Sequence, residues 1–411
     1  MNRVAVTGMG IISPIGKDVG SFWQALTNAQ CGIAPLTRFD TAGYKVTIAA
    51  EVKGFNPVEH GMEQAEARRM DLYTQYAMAA AHEAMGQSGL EGQIQPERLG
   101  VNISSGIGGI ETFFKESEKL LSRGPGRVSP LCIPMMIGNM AAGNAAIRYK
   151  AQGACMPLVT ACATSTHSVG EAYRQIRHGY LDAVITGGSE ASVNPIAIAG
   201  FTNCMALSEV NEPLKSSLPF DLNRKGFVLG EGAAVLVLEN YEHAKARGAR
   251  ILAEIVGYGT TCDAFHITAP EPTGAGATRA IRLALDEAGN EGLDSVYINA
   301  HGTGTPLNDK TETLAIKNAL GEERARKAAI SSIKGATGHM LGAAGGAELI
   351  ATILAIKEGV LPPTIPLLTP DPECDLDYVP RAARADKRAL GISISLGFGG
   401  HNGVLAVRRG E

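Results

Sequence analysis

The chain has no apolar stretch of the roughly 18 residues that a membrane-spanning helix needs, so no membrane insertion is expected. Its opening, "MNRVAVTGMG", runs straight into a strand-like pattern, without an apolar signal region followed by a small-residue cleavage site. No CxxC pair and no HxxxH occurs, which removes the usual support for structural zinc, and no metal site is expected. There is no Lys/Arg block of the kind that reads as a nucleic-acid patch. The seven cysteines are odd in number, irregularly spaced and without a secretion signal, so they read as reduced thiols in a cytoplasmic protein.

What is present describes a large mixed domain. With 411 residues and 45% apolar content the chain can bury a substantial core, and 37 basic against 41 acidic residues leave a net charge of −4. The 50 glycines are about twice the usual share of roughly 7% but follow no fixed short period. They mark tight turns rather than a collagen-like repeat.

Short β-like segments alternate with longer helical ones, which predicts α/β layers. Several segments recur in the same order. "RVAVTGMG" at the start matches "ILAEIVGYGTT" from residue 251, and "LGVNISSGIGG" (99–109) matches "DSVYINAHGTGT" (294–305). "GFVLGEGAAVLVLE" (226–239) matches "SLGFGGHNGVLAVRR" (395–409). A helix pattern after Cys162, carried by Val169, Tyr173, Ile176 and Tyr180, matches one after His339, carried by Leu349, Ile350, Ile353 and Ile356 and closed by Gly359. These pairs predict two similar halves, 1–250 and 251–411, packed as one unit. No Pro- or Ser-rich linker divides them, and "LPPTIPLLTPDPECD" (361–375) reads as a surface excursion.

Three motifs each set one reactive side chain among small residues: Cys162 in "VTACATS", His301 in "NAHGTGT" and His339 in "KGATGHMLGAAGG". A buried cysteine is ordinarily a small hydrophobe, and a loop histidine is ordinarily a satisfied neutral imidazole. Cys162 differs because it follows an apolar run that reads as a strand and opens a helix pattern. Orphan backbone N–H groups and the helix dipole there would lower a thiol pKa and stabilise an oxyanion, as at a nucleophile elbow. Two imidazoles near a thiol can donate to an enolate or take up protons. Lys334, in the small and apolar "SSIKGATGHM", is expected to be buried with a partner carboxylate, Glu348.

In this order, "VTACATS", "NAHGTGTPLND", "KGATGHMLGAAGGAE" and "SLGFGGHN" closely resemble the β-ketoacyl-acyl carrier protein synthases, and among them the synthase II group of bacterial fatty acid synthesis. The resemblance runs over essentially the whole chain. It implies a thiolase-like fold of the α/β class, with duplicated halves in a five-layer αβαβα arrangement. It also implies an acyltransferase that condenses an acyl thioester with malonyl-acyl carrier protein, with loss of CO2, to give a 3-oxoacyl chain.

By the same resemblance Cys162 accepts the acyl chain, while His301 and His339 assist decarboxylation and stabilise the enolate. Lys334 and Glu348 form a supporting ion pair, and Phe398 gates the site. The backbone N–H groups of Cys162 and Phe398 form the oxyanion hole. Thr303, Thr305 and Thr268 hold the phosphopantetheine arm beside Gly399 and Gly400, and Ile107 and Phe201 line the acyl pocket. Arg68, Arg69 and Arg127 meet the acidic carrier protein, although Ala65 stands where some relatives have a further basic residue. No cofactor is implied, because the phosphopantetheine arrives on the acyl carrier protein. A homodimer is implied, with the partner's segment near 131–137 closing part of each acyl pocket.

The chain departs from the family pattern at Gly335-Ala336, where many relatives carry serine and methionine, and at Ser165, where glycine is common. Three other readings compete. A polyketide condensing subunit would share the same catalytic residues, whereas a chain-length-factor-like partner would lack Cys162. A Cys-His hydrolase would leave the second histidine and the duplication unexplained.

Overall fold

The computed structural model describes residues 1–410; residue 411, the last of the expected second half, lies outside the described residues. Nine strands form the main sheet: β1 (Val4–Ile12), β2 (Leu99–Ser104), β3 (Ala183–Glu190), β4 (Gly232–Asn240), β5 (Ala253–Cys262), β6 (Val296–Asn299), β7 (Ala329–Ser331), β8 (Leu390–Gly397) and β9 (His401–Arg409). Their order is β2-β3-β4-β1-β5-β9-β8-β6-β7.

That order contains the duplication. In the first half β2 runs parallel to β3, β3 antiparallel to β4, and β4 antiparallel to β1. In the second half β6 runs parallel to β8, β8 antiparallel to β9, and β9 antiparallel to β5. The strand pairs expected from the repeated segments, β1 with β5, β2 with β6 and β4 with β9, hold matching places. The half-sheets meet edge to edge through a short antiparallel ladder, Val4 to Ile255, Ala5 to Glu254 and Val6 to Ala253.

Six helices complete the layers: α1 (Leu72–Ser88), α2 (Met140–Tyr149), α3 (Thr164–Arg177), α4 (Ala275–Ala288), α5 (Pro306–Leu320) and α6 (Ala344–Glu358). Helices α1 and α2 cover the outer face of the first half-sheet, α4 and α5 that of the second, and α3 and α6 lie between the two. Strand alternation explains how each half-sheet serves two cores. On β4, Leu236 and Leu238 face the centre while Val235 and Val237 face outward; on β9, Leu405 and Val407 face the centre while Val404 and Ala406 face outward. The result is the expected five-layer αβαβα stack.

Glycine lets the outer helices lie flat on the strands. A Cβ at Gly8 or Gly10 of β1 would fall 2.0 Å from the carbonyl oxygen of Ala84 or Ala80 in α1. At Gly257 or Gly259 of β5 it would fall 2.0 or 1.9 Å from that of Ala284 or Ala280 in α4. The same close approach is made twice, once per half.

Three expectations change. Residues 361–367 are buried, and only 368–370 and parts of 372–375 reach the surface, so the proline-rich segment is mostly core rather than an excursion. Helix α3 ends at Arg177, which leaves Tyr180 outside it and exposed. The apolar run before Cys162 is not a strand: it is irregular, with one bridge between Val101 and Cys155.

Candidate active site

Cys162 lies in a 3-10 turn, Ala161–Ala163, that runs directly into α3. Ala161 has φ +50°, a left-handed conformation that makes the turn sharp at a residue with a Cβ. The sharp turn and the following helix match the expected elbow, but the strand before it is absent. Cys162 is buried in an apolar cluster with Leu341, Phe227, Leu229, Val193 and Ile198, and Ile110, Phe201 and Phe398 pack against it.

The structure brings the three reactive side chains together. Cys162, His301 and His339 line one cavity with Phe398, Gly400, Thr268, Thr303 and Thr305. The two imidazole rings are edge to face, with centroids 5.4 Å apart and planes at 81°. Phe227 packs edge-on against His339, with centroids 4.9 Å apart.

His301 follows β6 and is held by the helix after it. Glu312 of α5 accepts hydrogen bonds from the backbone N–H groups of His301 and Gly302 at 2.7 and 2.8 Å. Asp309, one turn earlier, accepts from Gly304 at 3.1 Å and from Phe220 at 2.7 Å. Both carboxylates are buried, and the motif reading missed them. The signal was an Asp and a Glu three residues apart on the helix that opens right after the histidine loop.

His339 is fixed by backbone pairing. Its N–H donates to the Val228 carbonyl at 2.7 Å, and its carbonyl accepts from Gly230 at 2.9 Å. Lys334 and Glu348 form the expected ion pair, with both side chains almost wholly buried. The same ammonium donates to the His301 carbonyl and stands 3.4 Å from His301 Nδ1.

These contacts settle the tautomers. An ammonium can only donate, so His301 Nδ1 accepts and its proton resides on Nε2. His339 Nδ1 accepts from the Leu341 N–H at 3.2 Å, which places its proton on Nε2 as well. Burial, and then the Lys334 charge, hold both imidazoles well below the usual histidine range, so they are neutral donors.

The thiol contradicts its expectation. Burial pushes Cys162 up to about 12 rather than down; Lys334 and the Phe398 backbone N–H oppose burial, while Glu190 adds to it.

The remaining predicted residues fall into three groups. Thr303 and Thr305 face the cavity with their hydroxyls 3.0 Å apart, and the backbone of Thr268 donates to His266 Nδ1 at 3.1 Å. Gly399 and Gly400, both with positive φ, turn the chain beside Phe398, and the Gly399 N–H donates to the Ile267 carbonyl. Phe201 stacks edge-on against Phe227, with centroids 5.9 Å apart, on the cluster around Cys162. Ile107 does not line the cavity; it is exposed on the glycine loop after β2. Arg68, Arg69 and Arg127 are exposed, the first two at the end of a single helical turn rather than on a long helix.

The departures from the family pattern also have physical reasons. Ser165 Oγ accepts the Gly346 N–H at 2.8 Å and so ties α3 to α6. Gly335 lies against the buried proline-rich segment, where a Cβ would fall 1.3 Å from the Ile365 carbonyl oxygen. Ala336 is fully buried in the central core.

The fold is thiolase-like, with a cysteine and two neutral histidines gathered where its halves meet. The chain belongs to the beta-ketoacyl synthase family: the family's N-terminal domain matches residues 1–244 and its C-terminal domain residues 252–368. It is 50% identical over 410 residues, all of this chain and 99% of the relative, to a 3-oxoacyl-(acyl-carrier-protein) synthase 2 of Staphylococcus aureus. A beta-ketoacyl synthase from Burkholderia phymatum superposes over the full length of both chains with a TM-score of 0.92 at 35% identity. So does a chain of the AntDE:AntF complex, described as a type II PKS acyl-carrier protein in complex with its ketosynthase, with a TM-score of 0.90 at 33% identity.

Proposed function

We propose that the protein is an elongating condensing enzyme that joins an acyl thioester to malonyl-acyl carrier protein in fatty acid synthesis. The observation that carries this reading is the pair of Nε2–H donors, from His301 and His339, facing one cavity with the Cys162 thiol.

In the first step the Cys162 sulfur attacks the acyl thioester carbonyl. The carrier's phosphopantetheine sulfur leaves with its bonding pair and takes up the proton that Cys162 gives up. The Cys162 and Phe398 backbone N–H groups serve as the oxyanion hole, and Phe398 at the cavity wall as the gate. Malonyl-carrier protein then loses CO2, and the electrons of that C–C bond pass into an enolate. Both Nε2–H groups donate to its oxygen, which neutral imidazoles do without surrendering a proton.

The enolate carbon attacks the acyl-Cys162 carbonyl, and collapse expels the thiolate, which is reprotonated. The balance is one acyl-carrier, one malonyl-carrier and one proton in; a 3-oxoacyl-carrier two carbons longer, CO2 and free carrier thiol out. Lys334, charge-paired with Glu348, keeps His301 in the donor tautomer. The protein needs no resident cofactor in this reading, because phosphopantetheine arrives on the carrier.

Thr268, Thr303 and Thr305 receive the phosphopantetheine arm, and Arg68, Arg69 and Arg127 the acidic carrier surface. The protein works as a homodimer in the cytoplasm, with the exposed Leu131, Ile133 and Ile137 meeting the partner. No helix among the described residues is long and apolar enough to cross a membrane. The likeness to a type II PKS ketosynthase favours a second reading, a polyketide condensing subunit, with the same chemistry on a different chain. The test is purified protein with acyl- and malonyl-carrier protein from fatty acid synthesis: a 3-oxoacyl product two carbons longer supports the reading, and no turnover overturns it.

A further inference from the structure

Three residues of the apolar cluster around Cys162 come from three separate segments: Ile110 from the helix after the Ser105–Gly109 loop, Val193 from the segment after β3, and Leu341 from the turn before α6. All three segments converge on one carboxylate. Glu190, the last residue of β3, is fully buried and accepts five hydrogen bonds. Oε1 accepts from Ser105 Oγ at 3.0 Å, Ile107 N at 3.3 Å and Ser192 Oγ at 3.3 Å. Oε2 accepts from Gly106 N and Gly342 N, each at 3.0 Å.

Every one of those donors is a neutral hydroxyl or backbone N–H. The two glycines are required by the approach: a Cβ at Gly106 or Gly342 would lie 2.7 or 2.8 Å from Glu190 Oε2. Gly106 also lies beside the Ala161 carbonyl, in the turn that carries Cys162. Leu341 is the residue whose N–H holds His339 Nδ1. A single side chain therefore joins one side of the apolar cluster around Cys162, the nucleophile turn and a histidine turn across the two halves.

We infer that Glu190 is a positioning residue for acyl transfer, clamping the Ser105–Ile107 loop, the Ser192 segment and the Gly342 turn behind Ile110, Val193 and Leu341, so that these form one wall of the apolar cluster against which an acyl chain on Cys162 packs. This rests on the proposed role of Cys162 as acyl acceptor. A short acyl group touches little of that wall, whereas a long one must follow it. Glu190 also acts on the sulfur through its charge, among the groups facing Cys162, which include Lys334 and Glu348.

Two variants separate geometry from charge. Glu190→Asp keeps the charge but draws back from Gly106 and Gly342. Glu190→Gln keeps the reach: one oxygen still accepts from both glycines, the two serine hydroxyls rotate to accept from the amide, and only the Ile107 N–H loses its partner. Acylation of Cys162 is measured by mass spectrometry with butyryl- and hexadecanoyl-carrier protein, alongside thermal melting and the pH profile of Cys162 alkylation by iodoacetamide.

Glu190→Asp is expected to lose roughly tenfold or more in hexadecanoyl transfer relative to butyryl transfer, with an alkylation profile like the parent's. Glu190→Gln is expected to show a smaller length effect and an alkylation profile moved to lower pH, since a negative charge beside the thiol is gone. Equal loss at both chain lengths in step with a lower melting temperature would reduce Glu190 to a fold-stabilising residue and overturn the inference. So would variants that match the parent throughout. If the parent itself accepts no acyl group, the acceptor reading fails; a parent that accepts both chains while Glu190→Asp transfers them in the parent's ratio overturns the inference alone.

Discussion

Ala161 and Leu341 are counterparts: each has positive φ, +50° and +45°, and each opens a three-residue 3-10 turn that runs directly into one of the two central helices. The turn at Ala161 carries Cys162, and the turn at Leu341 supplies the N–H that fixes His339. Because these helices face each other between the half-sheets, residues far apart in sequence meet at one cavity. The strain at both positions is the backbone consequence of entering a central helix at a sharp angle.

The buried ion pair is expected to be tied to function rather than to net stability. Lys334→Met leaves the Glu348 carboxylate unpaired and is expected to cost about 3–5 kcal/mol in urea unfolding. Adding Glu348→Leu is expected to bring stability back to within about 1 kcal/mol of the parent or above it. Neither variant is expected to decarboxylate malonyl-carrier protein, since His301 Nδ1 has lost the cation that sets its tautomer. Full activity in the double variant would contradict this role.

The two histidines are expected to stay neutral through mildly acid pH. Burial and Lys334 lower both, so the charged form is reached only far below the ordinary value of about 6.5. In a histidine-labelled NMR titration, the His301 and His339 ring signals should not move between about pH 7.5 and 5.5. A midpoint near 6.5 for either would show a protonatable ring and a different donor.

Decarboxylation and acylation are expected to separate at His339. His339→Ala removes one enolate donor but leaves the Cys162 turn intact, so it should spare acyl-enzyme formation more than CO2 release. Loss of one such donor is worth about 100- to 1,000-fold in rate. Parallel quantification of acylated protein and of labelled CO2 reads the split, and equal losses would contradict it.

The duplicated glycine contacts predict matched stability effects. Gly8→Ala and Gly257→Ala each drive a methyl group into the backbone carbonyl of an outer helix, and each is expected to cost about 1–3 kcal/mol or more in chemical denaturation. A large cost in one half and none in the other would show that the halves are not packed alike.

Much of this was legible in the sequence, for reasons that particular residues show. Strands β2 and β6 each end in a glycine-rich loop, and β1 and β5 each carry a pair of glycines within the strand, so the repeated order of apolar run and glycines carried the duplication directly. The helix closed by Gly359 was legible because its apolar spacing and left-handed C-terminal residue coincide. The run before Cys162 was misread because apolar residues at an irregular sheet edge look like strand residues. The 361–375 segment was misread because proline marks a break in regular structure, not exposure. Glu190 was not legible as a site residue, since its partners are backbone N–H groups and serine hydroxyls brought to it by folding, whereas Asp309 and Glu312 left a trace in their spacing just after the histidine loop. The thiol shift was missed for a related reason: the sequence shows the helix start that lowers it but not the depth of burial that raises it.

Every later step depends on Cys162 carrying the acyl chain. The decisive measurement is mass spectrometry of the peptide containing Cys162 after incubation of the protein with an acyl-carrier protein. An acyl adduct is expected on Cys162 that malonyl-carrier protein discharges as 3-oxoacyl product, with no adduct or product in Cys162→Ala. Condensation by Cys162→Ala, or an adduct on another residue with Cys162 unmodified, would contradict it.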